Sequence, residues 1–300
     1  MSVPQWDVIG IGESSIDEVV RLPGVLGPNV KLPIPSKQIR YGGQVATTLA
    51  TCASFGLRAA LLGTTGDDHE VDGLRKALGD RGVDTTLLIR RPVRHRRAMV
   101  LVSEQTGDRA VLWERDTRLA LTPGEIRRET IEAARLVHVD DVDVEASIVA
   151  ARFACRAGIP VTSDIDQVSD RTRELIATVT VPIFAEHVPL ELTGEADLER
   201  ALRALRKTHS GLLCVTLGSR GSMVLDGDRV HHVPAPTVRA VDATGAGDVF
   251  RGAFIYALLR GDSPVEILRF ANVAAALSCT REGALDSVPR RREVEEFLHS

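Results

Sequence analysis

The chain has 300 residues, room for one large α/β domain or two modest ones, and 44% of them are apolar, enough for a packed core. A net charge of −4 and an aromatic content of 4% offer little to attract nucleic acid or to stack its bases. No apolar run approaches the roughly 18 residues of a membrane span, and the opening MSVPQWDVIGIG has no basic segment, apolar stretch and cleavage site of an export signal.

WDVIGIG reads as a buried strand, QVATTLATCASFG as a helix ending at Gly56, and LRAALLGTTG as the next strand and its loop. EVDGLRKALGDRG is a helix with a glycine stop. RLVHVD (strand), VEASIVAARFACRAG (helix), IPVTSDI and VPIFAE (strands), DLERALRALRKT (helix) and GLLCVTLG (strand) follow. Residues 245–280 are helical, and a last helix covers about 290–298. This alternation predicts a doubly wound α/β fold of three layers, with a mostly parallel sheet covered by helices on both faces. Ligands in such folds sit outside the carboxyl ends of the strands.

Two stretches break the rhythm. Residues 17–41 are punctuated by Pro and Gly between short β-like runs, and residues 96–113 read as a hairpin turning at Thr106-Gly107-Asp108. They are strands of a small β lid outside the main sheet, or ordinary edge structure. With no internal repeat and no low-complexity linker, residues 1–300 are expected to form a single domain. Cys52, Cys155, Cys214 and Cys279 form no CxxC pair and read as buried free thiols, as suits a reducing cytoplasm. The histidines, among them His95 in RRPVRHRR and the pair His231-His232, lack metal-ligand spacing and read as solvated.

The chemistry centres on VDATGAGDVFRGAFIYALL, residues 241–259. Phe250, Phe254 and Leu258 recur at helical spacing. Gly245, Ala246 and Gly247 therefore form a turn at a helix start, where unpaired N–H groups and the helix dipole attract an anion. Asp248 then falls in the first helical turn. It is either a dipole-favoured acid without chemistry or a base placed to take a proton from a hydroxyl attacking a bound phosphorus. Gly42-Gly43 before a small-residue helix, and Gly218 and Gly221 between two strands, are weak signals taken singly.

Taken together, in order, these segments resemble the ribokinase-like carbohydrate kinases, the PfkB family, over nearly the whole chain. GESSID is similar to the first-strand sugar-contact motif, YGGQVATTLATCASFG to the di-glycine signature, VTLGSRGS to the nucleotide loop, and VDATGAGDVFRGAF to the C-terminal signature. The resemblance implies Asp248 as catalytic base and Gly245, Ala246 and Gly247 as an anion hole. It implies sugar contacts from Asp17, Gly42 and Gly43, and nucleotide contacts from Thr216, Gly218, Gly221 and Asn272. SCTREGALDSVP resembles a loop that holds a monovalent cation, with matching positions Asp242, Thr244, Ser278, Arg281, Gly283 and Ser287. ATP, Mg²⁺ and K⁺ are the implied cofactors, and a homodimer through the lid is the implied assembly.

The chain departs from the family pattern in three places. Thr47 stands where the family carries a sugar-contacting Asn. Ala185 and Val188 stand where an Asn-x-x-Glu motif organises Mg²⁺, with Glu186 and Glu191 nearby but out of place. VHVDDVDVEA is unusually acidic, making Asp140, Asp141 and Asp143 candidate sugar contacts or a solvated loop. Because these acids follow a rigid strand, whereas Arg94, Arg96, Arg97 and Lys37 fall on the predicted lid, an uncharged acceptor is expected.

The leading reading is an ATP-dependent cytoplasmic kinase of a small sugar or polyol. Alternatives are a non-catalytic sugar- or nucleotide-binding regulator of the same fold, supported by the missing Asn and Glu, and an NAD-dependent oxidoreductase. GIGESS suggests the latter, but Ser15 replaces the third glycine of its motif.

Overall fold

The computed structural model describes residues 4–23, 31, 33, 34, 36–103 and 109–299. The first half runs β1 (Trp6–Ile11), β2 (Ser15–Leu22), β3 (Ser36–Gly42), α1 (Gln44–Ser54), β4 (Ala59–Thr65), α2 (Glu70–Gly79), β5 (Val83–Asp84), β6 (Leu88–Arg90), β7 (Arg97–Ser103), β8 (Arg109–Glu114), α3 (Arg128–Glu132), β9 (Ala134–Asp140) and α4 (Val144–Arg156). The second runs β10 (Val161–Ile165), α5 (Thr172–Thr178), β11 (Val181–Ala185), α6 (His187–Thr193), α7 (Leu198–Arg206), β12 (Leu213–Thr216), β13 (Ser222–Asp226), β14 (Arg229–Val233), α8 (Ala246–Arg260), α9 (Pro264–Ser278) and α10 (Arg291–His299).

The main sheet has the order β14-β13-β12-β11-β10-β9-β1-β4-β5, with β6 beside β4. Every pair from β12 to β5 is parallel, and β13 and β14 add an antiparallel edge. Parallel neighbours need crossover segments, which here cover both faces, so the strands read as continuous apolar runs. Register sets the faces: Val8 pairs with Leu136, and Ile9 with Val137. Side chains alternate along a strand. Val8 and Leu136 therefore pack with α1, α2 and α8, while Ile9, Ile11, Val137 and Val139 pack with α4 to α7. Helix α9 starts where Pro264 occupies the first turn and Ser263 and Glu266 cap each other.

The smaller sheet has the order β3-β2-β7-β8. It is mixed: β2 pairs antiparallel with β3 but parallel with β7, and β7 pairs antiparallel with β8. Its strands come from the two stretches that break the α/β rhythm; the expected turn at Thr106-Gly107-Asp108 lies outside the described residues.

Expectations about single side chains are corrected: His138 and His209, like His95, are buried rather than solvated. The Nδ1 of His95 accepts from Gly66 N–H at 3.2 Å, its own backbone N–H donates to Asp68, and burial pushes its pKa down to about 4. The arginines around it in sequence turn outward or toward acids, and the imidazole fills the gap. Cys155 is exposed rather than buried, because it lies on the solvent side of α4. No helix among the described residues is long and apolar enough to cross a membrane.

Candidate active site

Two helix N-termini meet at the carboxyl end of the main sheet, beneath the smaller one. At the start of α8, Gly245 has φ +77°, and a Cβ there would stand 2.9 Å from Ala284 Cα, so only glycine makes this turn. The N–H groups of the first turn behind it have no intrahelical acceptor. At the start of α1, Gly43 has φ +102°, and a Cβ there would stand 2.5 Å from Ser14 Cα. The Thr48 hydroxyl donates to the Asp248 carbonyl at 3.2 Å, tying the two helix starts together. Gly43, Gln44, Gly245 and Asp248 form one side of a cavity of about 650 Å³; Asp17, Ala98, Val100 and Trp113 of the smaller sheet form the other.

The carboxyl of Asp248 is held well above the ordinary range, first by burial and then by the carboxylate of Asp164, with Arg251 pulling it back. Asp164 lies near the end of β10, 2.5 Å from Arg251 Nη2, both side chains almost wholly buried. Asp248 is thus a carboxyl facing a cavity, beside an anion-attracting turn, with a raised affinity for a proton. These are the properties a general base needs near neutral pH.

The acceptor end differs from the sequence expectation. Glu13 and Arg115, neither of which the motifs single out, line the cavity with Arg96. Arg96 Nε is 2.8 Å from Glu13, and its Nη1 is 3.8 Å from Asp17. Arg115 is 2.6 Å from Asp143 and 3.8 Å from Glu13. Burial raises the Glu13 and Asp17 carboxyls, and the arginines oppose it. Glu13 lies inside the GESSID segment beside Asp17, a signal that could have found it, whereas Arg115 follows a short apolar run with no motif around it.

The candidate contacts Asp140, Asp141 and Thr47 are differently placed. Asp140 is fully buried, and its two carboxylate oxygens accept N–H groups of Glu13 and Val142, at 2.7 and 3.1 Å. It braces the turn after β1 instead of touching a substrate. Asp141 lines the cavity, but its Oδ2 is taken by the N–H groups of Asp166 and Gln167. Thr47 is fully buried in α1 against Gly245, being too short to reach the cavity, and its hydroxyl has no partner. Gly42 is buried beneath the site, a Cβ there meeting Asp17 and Ala284 at 3.3 Å. Of Arg94, Arg96, Arg97 and Lys37, Arg96 alone lines the cavity. Arg97 is buried between Asp68 and Glu70, Arg94 pairs with Glu114, and Lys37 pairs with Glu18.

The nucleotide-loop residues gather on the other side of α8. Thr216 ends β12 with its hydroxyl donating to Phe184 O at 3.3 Å, and Gly218 has φ +58°. A Cβ on Gly221 would lie 2.1 Å from Val233 O, and Asn272 Nδ2 donates to that same carbonyl at 2.8 Å. The sequence-distant Gly221 and Asn272 thus both lie against the Val233 carbonyl.

The two halves of the expected cation loop are also joined. Asp242 Oδ1 accepts from Thr244 N and Oγ1, at 2.9 and 2.7 Å, and its Oδ2 accepts from Gly283 N at 2.9 Å. The hydroxyls of Ser278 and Ser287 donate to carbonyls within their own turns, and the Arg281 guanidinium turns away to Glu293. None of these three side chains is left to meet an ion, so a cation there would depend on backbone carbonyls, the oxygen ligands a hard cation prefers. The stretch expected to organise Mg²⁺ does not fit it. Ala185 offers no side-chain oxygen, Val188 is fully buried, Glu186 is paired with Arg220, and Glu191 is exposed on α6. Among the described residues, no three or more His, Cys, Asp or Glu side chains are grouped to hold a metal.

The doubly wound sheet with its small β cover is a ribokinase-like architecture, and a glycine turn at a helix start with a carboxyl beside it suits phosphoryl transfer to a hydroxyl. Residues 7–291 match the model of the pfkB family carbohydrate kinases, and the chain belongs to that family. It is 27% identical to the ribokinase of Haemophilus influenzae, over 96% of this chain and 97% of that one. It is 30% identical to the ribokinase of Bacillus subtilis, over 86% and 87%. Among solved structures, ribokinase from Thermotoga maritima superposes with a TM-score of 0.85 at 25% identity, covering 98% of this chain and 100% of that one.

Proposed function

We propose that this kinase transfers the γ-phosphoryl group of ATP to a hydroxyl of a small, uncharged sugar or polyol, with Asp248 as general base. The observation that carries the reading is the placement of Asp248 at the Gly245–Gly247 turn, opening into a cavity beneath the smaller sheet. The acceptor hydroxyl binds among Asp17, Gly43 and Glu13 and gives its proton to Asp248 as its oxygen attacks the γ-phosphorus. The bond to the ADP oxygen breaks, and the first-turn N–H groups of α8 stabilise charge on the transferring group. Positioning and fixed electrostatics supply most of the rate. Thr216, Gly218, Gly221 and Asn272 hold the nucleotide. A monovalent cation at the Asp242 loop keeps the turn in shape without touching substrate.

The uncharged acceptor rests on charge balance. Glu13, Asp17, Asp141, Asp166 and Asp248 line the cavity against Arg96 and Arg115, and both arginines already face acids. The outer face of the smaller sheet exposes Ile39, Met99 and Leu112, which supports pairing of two copies through it. ATP consumption measured over pentoses, ketohexoses, nucleosides and sugar acids, with Mg²⁺ titrated, tests the reading. Turnover with a free sugar is expected. ATP or sugar binding without turnover on any acceptor would favour a regulator instead.

A further inference from the structure

Arg251 is placed in the N-terminal half of a helix, where the dipole does not favour a cation. It lies in the first turns of α8, whose N-terminus carries the positive end of the dipole. Its side chain folds back toward that end, as helical side chains do. Nη1 stands 2.8 Å from where a Cβ of Gly247 would sit, so the guanidinium occupies the space that Gly247 leaves open behind the anion turn. Nη2 is 2.5 Å from Asp164, and the two side chains are 5% and 2% exposed. A buried ion pair contributes little net stability compared with apolar packing of the same shape. Its location suits another role.

The groups facing Asp248 are mostly acids: Asp164 and Asp166 from β10 and its following loop, and Asp17 from β2, with Arg251 opposing them. Around the pair itself stand Asp141 and Asp166, with His138 on β9 and Cys214 on β12 packed toward Arg251. His138 is neutral, its Nδ1 3.0 Å from the Thr162 hydroxyl and its pKa pushed by burial down to about 3. Cys214 stays a thiol, burial holding it at about 12. Arg251 and the acids are therefore the charges that set the proton affinity of Asp248.

We propose that Arg251, through its buried pair with Asp164, is a positioning residue that keeps the Asp248 carboxylate ready to accept the substrate proton. The inference rests on the reading of Asp248 as base. It says that this chain sets its base with an internal cation, on the side of the anion turn away from substrate.

The test is the pH profile of kcat/KM, joined by a ¹³C-carboxyl NMR titration of Asp248 in the substrate-free full chain, its signal identified by its loss in Asp248→Asn. Asp164→Asn leaves Arg251 unopposed and should move the acid limb and the NMR midpoint down by about one pH unit; Arg251→Met should move both up by about as much. Shifts of opposite sign are not what a merely structural pair would give, since that would lower kcat in both variants at an unmoved midpoint. Should Arg251→Met fail to fold, Asp164→Asn is compared with Asp164→Asn/Arg251→Met, which differ only in the Arg251 charge; the double variant should titrate about one unit higher. Midpoints within about 0.3 unit of each other in these comparisons, or moving in the same direction, overturn the proposal. The NMR arm is read without turnover: shifted midpoints with no acceptor turned over would defeat the kinase reading and leave only the coupling of Arg251 and Asp164 to Asp248 in place.

Discussion

A Cβ added to Gly252 would stand 2.5 Å from Thr51 Cβ and 2.6 Å from the Thr48 carbonyl oxygen, so α8 meets α1 at its bare backbone. One turn earlier, the Thr48 hydroxyl reaches the Asp248 carbonyl, so the same close approach that packs the core sets the position of the base. Gly252→Ala should destabilise the protein by about 1–3 kcal/mol, the usual scale of overpacking, and should lower kcat. Urea unfolding and turnover measured on one preparation check this. Unchanged stability would show that the two helices separate freely.

Asp248→Asn should bind sugar and ATP nearly as well as the parent and turn over roughly a hundredfold more slowly or worse, the scale of a lost general base. Calorimetric binding with steady-state kinetics separates the two effects. Wild-type turnover in the variant would remove the assignment.

Replacing K⁺ by tetramethylammonium at constant ionic strength should lower activity, since Asp242, Thr244 and Gly283 join the two segments that would enclose the ion. The bulky cation cannot enter a site sized for carbonyl ligands. Equal rates in the two salts would remove the cation and leave the kinase reading in place.

A free sugar should show a higher kcat/KM than its phosphorylated form, because Arg96 and Arg115 are already engaged by Glu13, Asp17 and Asp143. A preference for the anionic sugar would mean that one of these arginines leaves its partner for the substrate, and Arg96→Met and Arg115→Met would then show which.

Away from the site, Arg58 donates to Asp7 from its guanidinium and backbone N–H, and Arg135 donates as well; against burial they hold the carboxyl down at about 2, from 3.8. With the folded value depressed, the stabilisation is present above the unfolded pKa and is lost as pH falls through the folded one. Its full size is about 2 kcal/mol, fading between about pH 5 and pH 1. Asp7→Asn should lose that much at pH 7 and show a shallower decline toward acid. Denaturant unfolding at several pH values measures both, and parallel acid limbs would contradict the assignment.

The local sequence determined the alternation of strands and helices, the anion turn and its acid. Apolar period, glycine at a positive φ and a helix start are properties of neighbouring residues, and GAGD followed by Phe250 and Phe254 carries all three within one short stretch. Even the unexpected strand segments were legible as a break in that rhythm. What tertiary structure decided is which charges meet. Asp140, in an acidic run, is consumed by the backbone N–H groups of Glu13 and Val142, whereas Glu13 and Arg115, far apart in sequence, come within 3.8 Å of each other at the cavity. Arg251 looks like one more polar residue on a helix until α8 lies on the sheet and brings it to Asp164. A side chain's charge is fixed by its chemistry, but its partner, burial and proton affinity depend on residues far away in the chain.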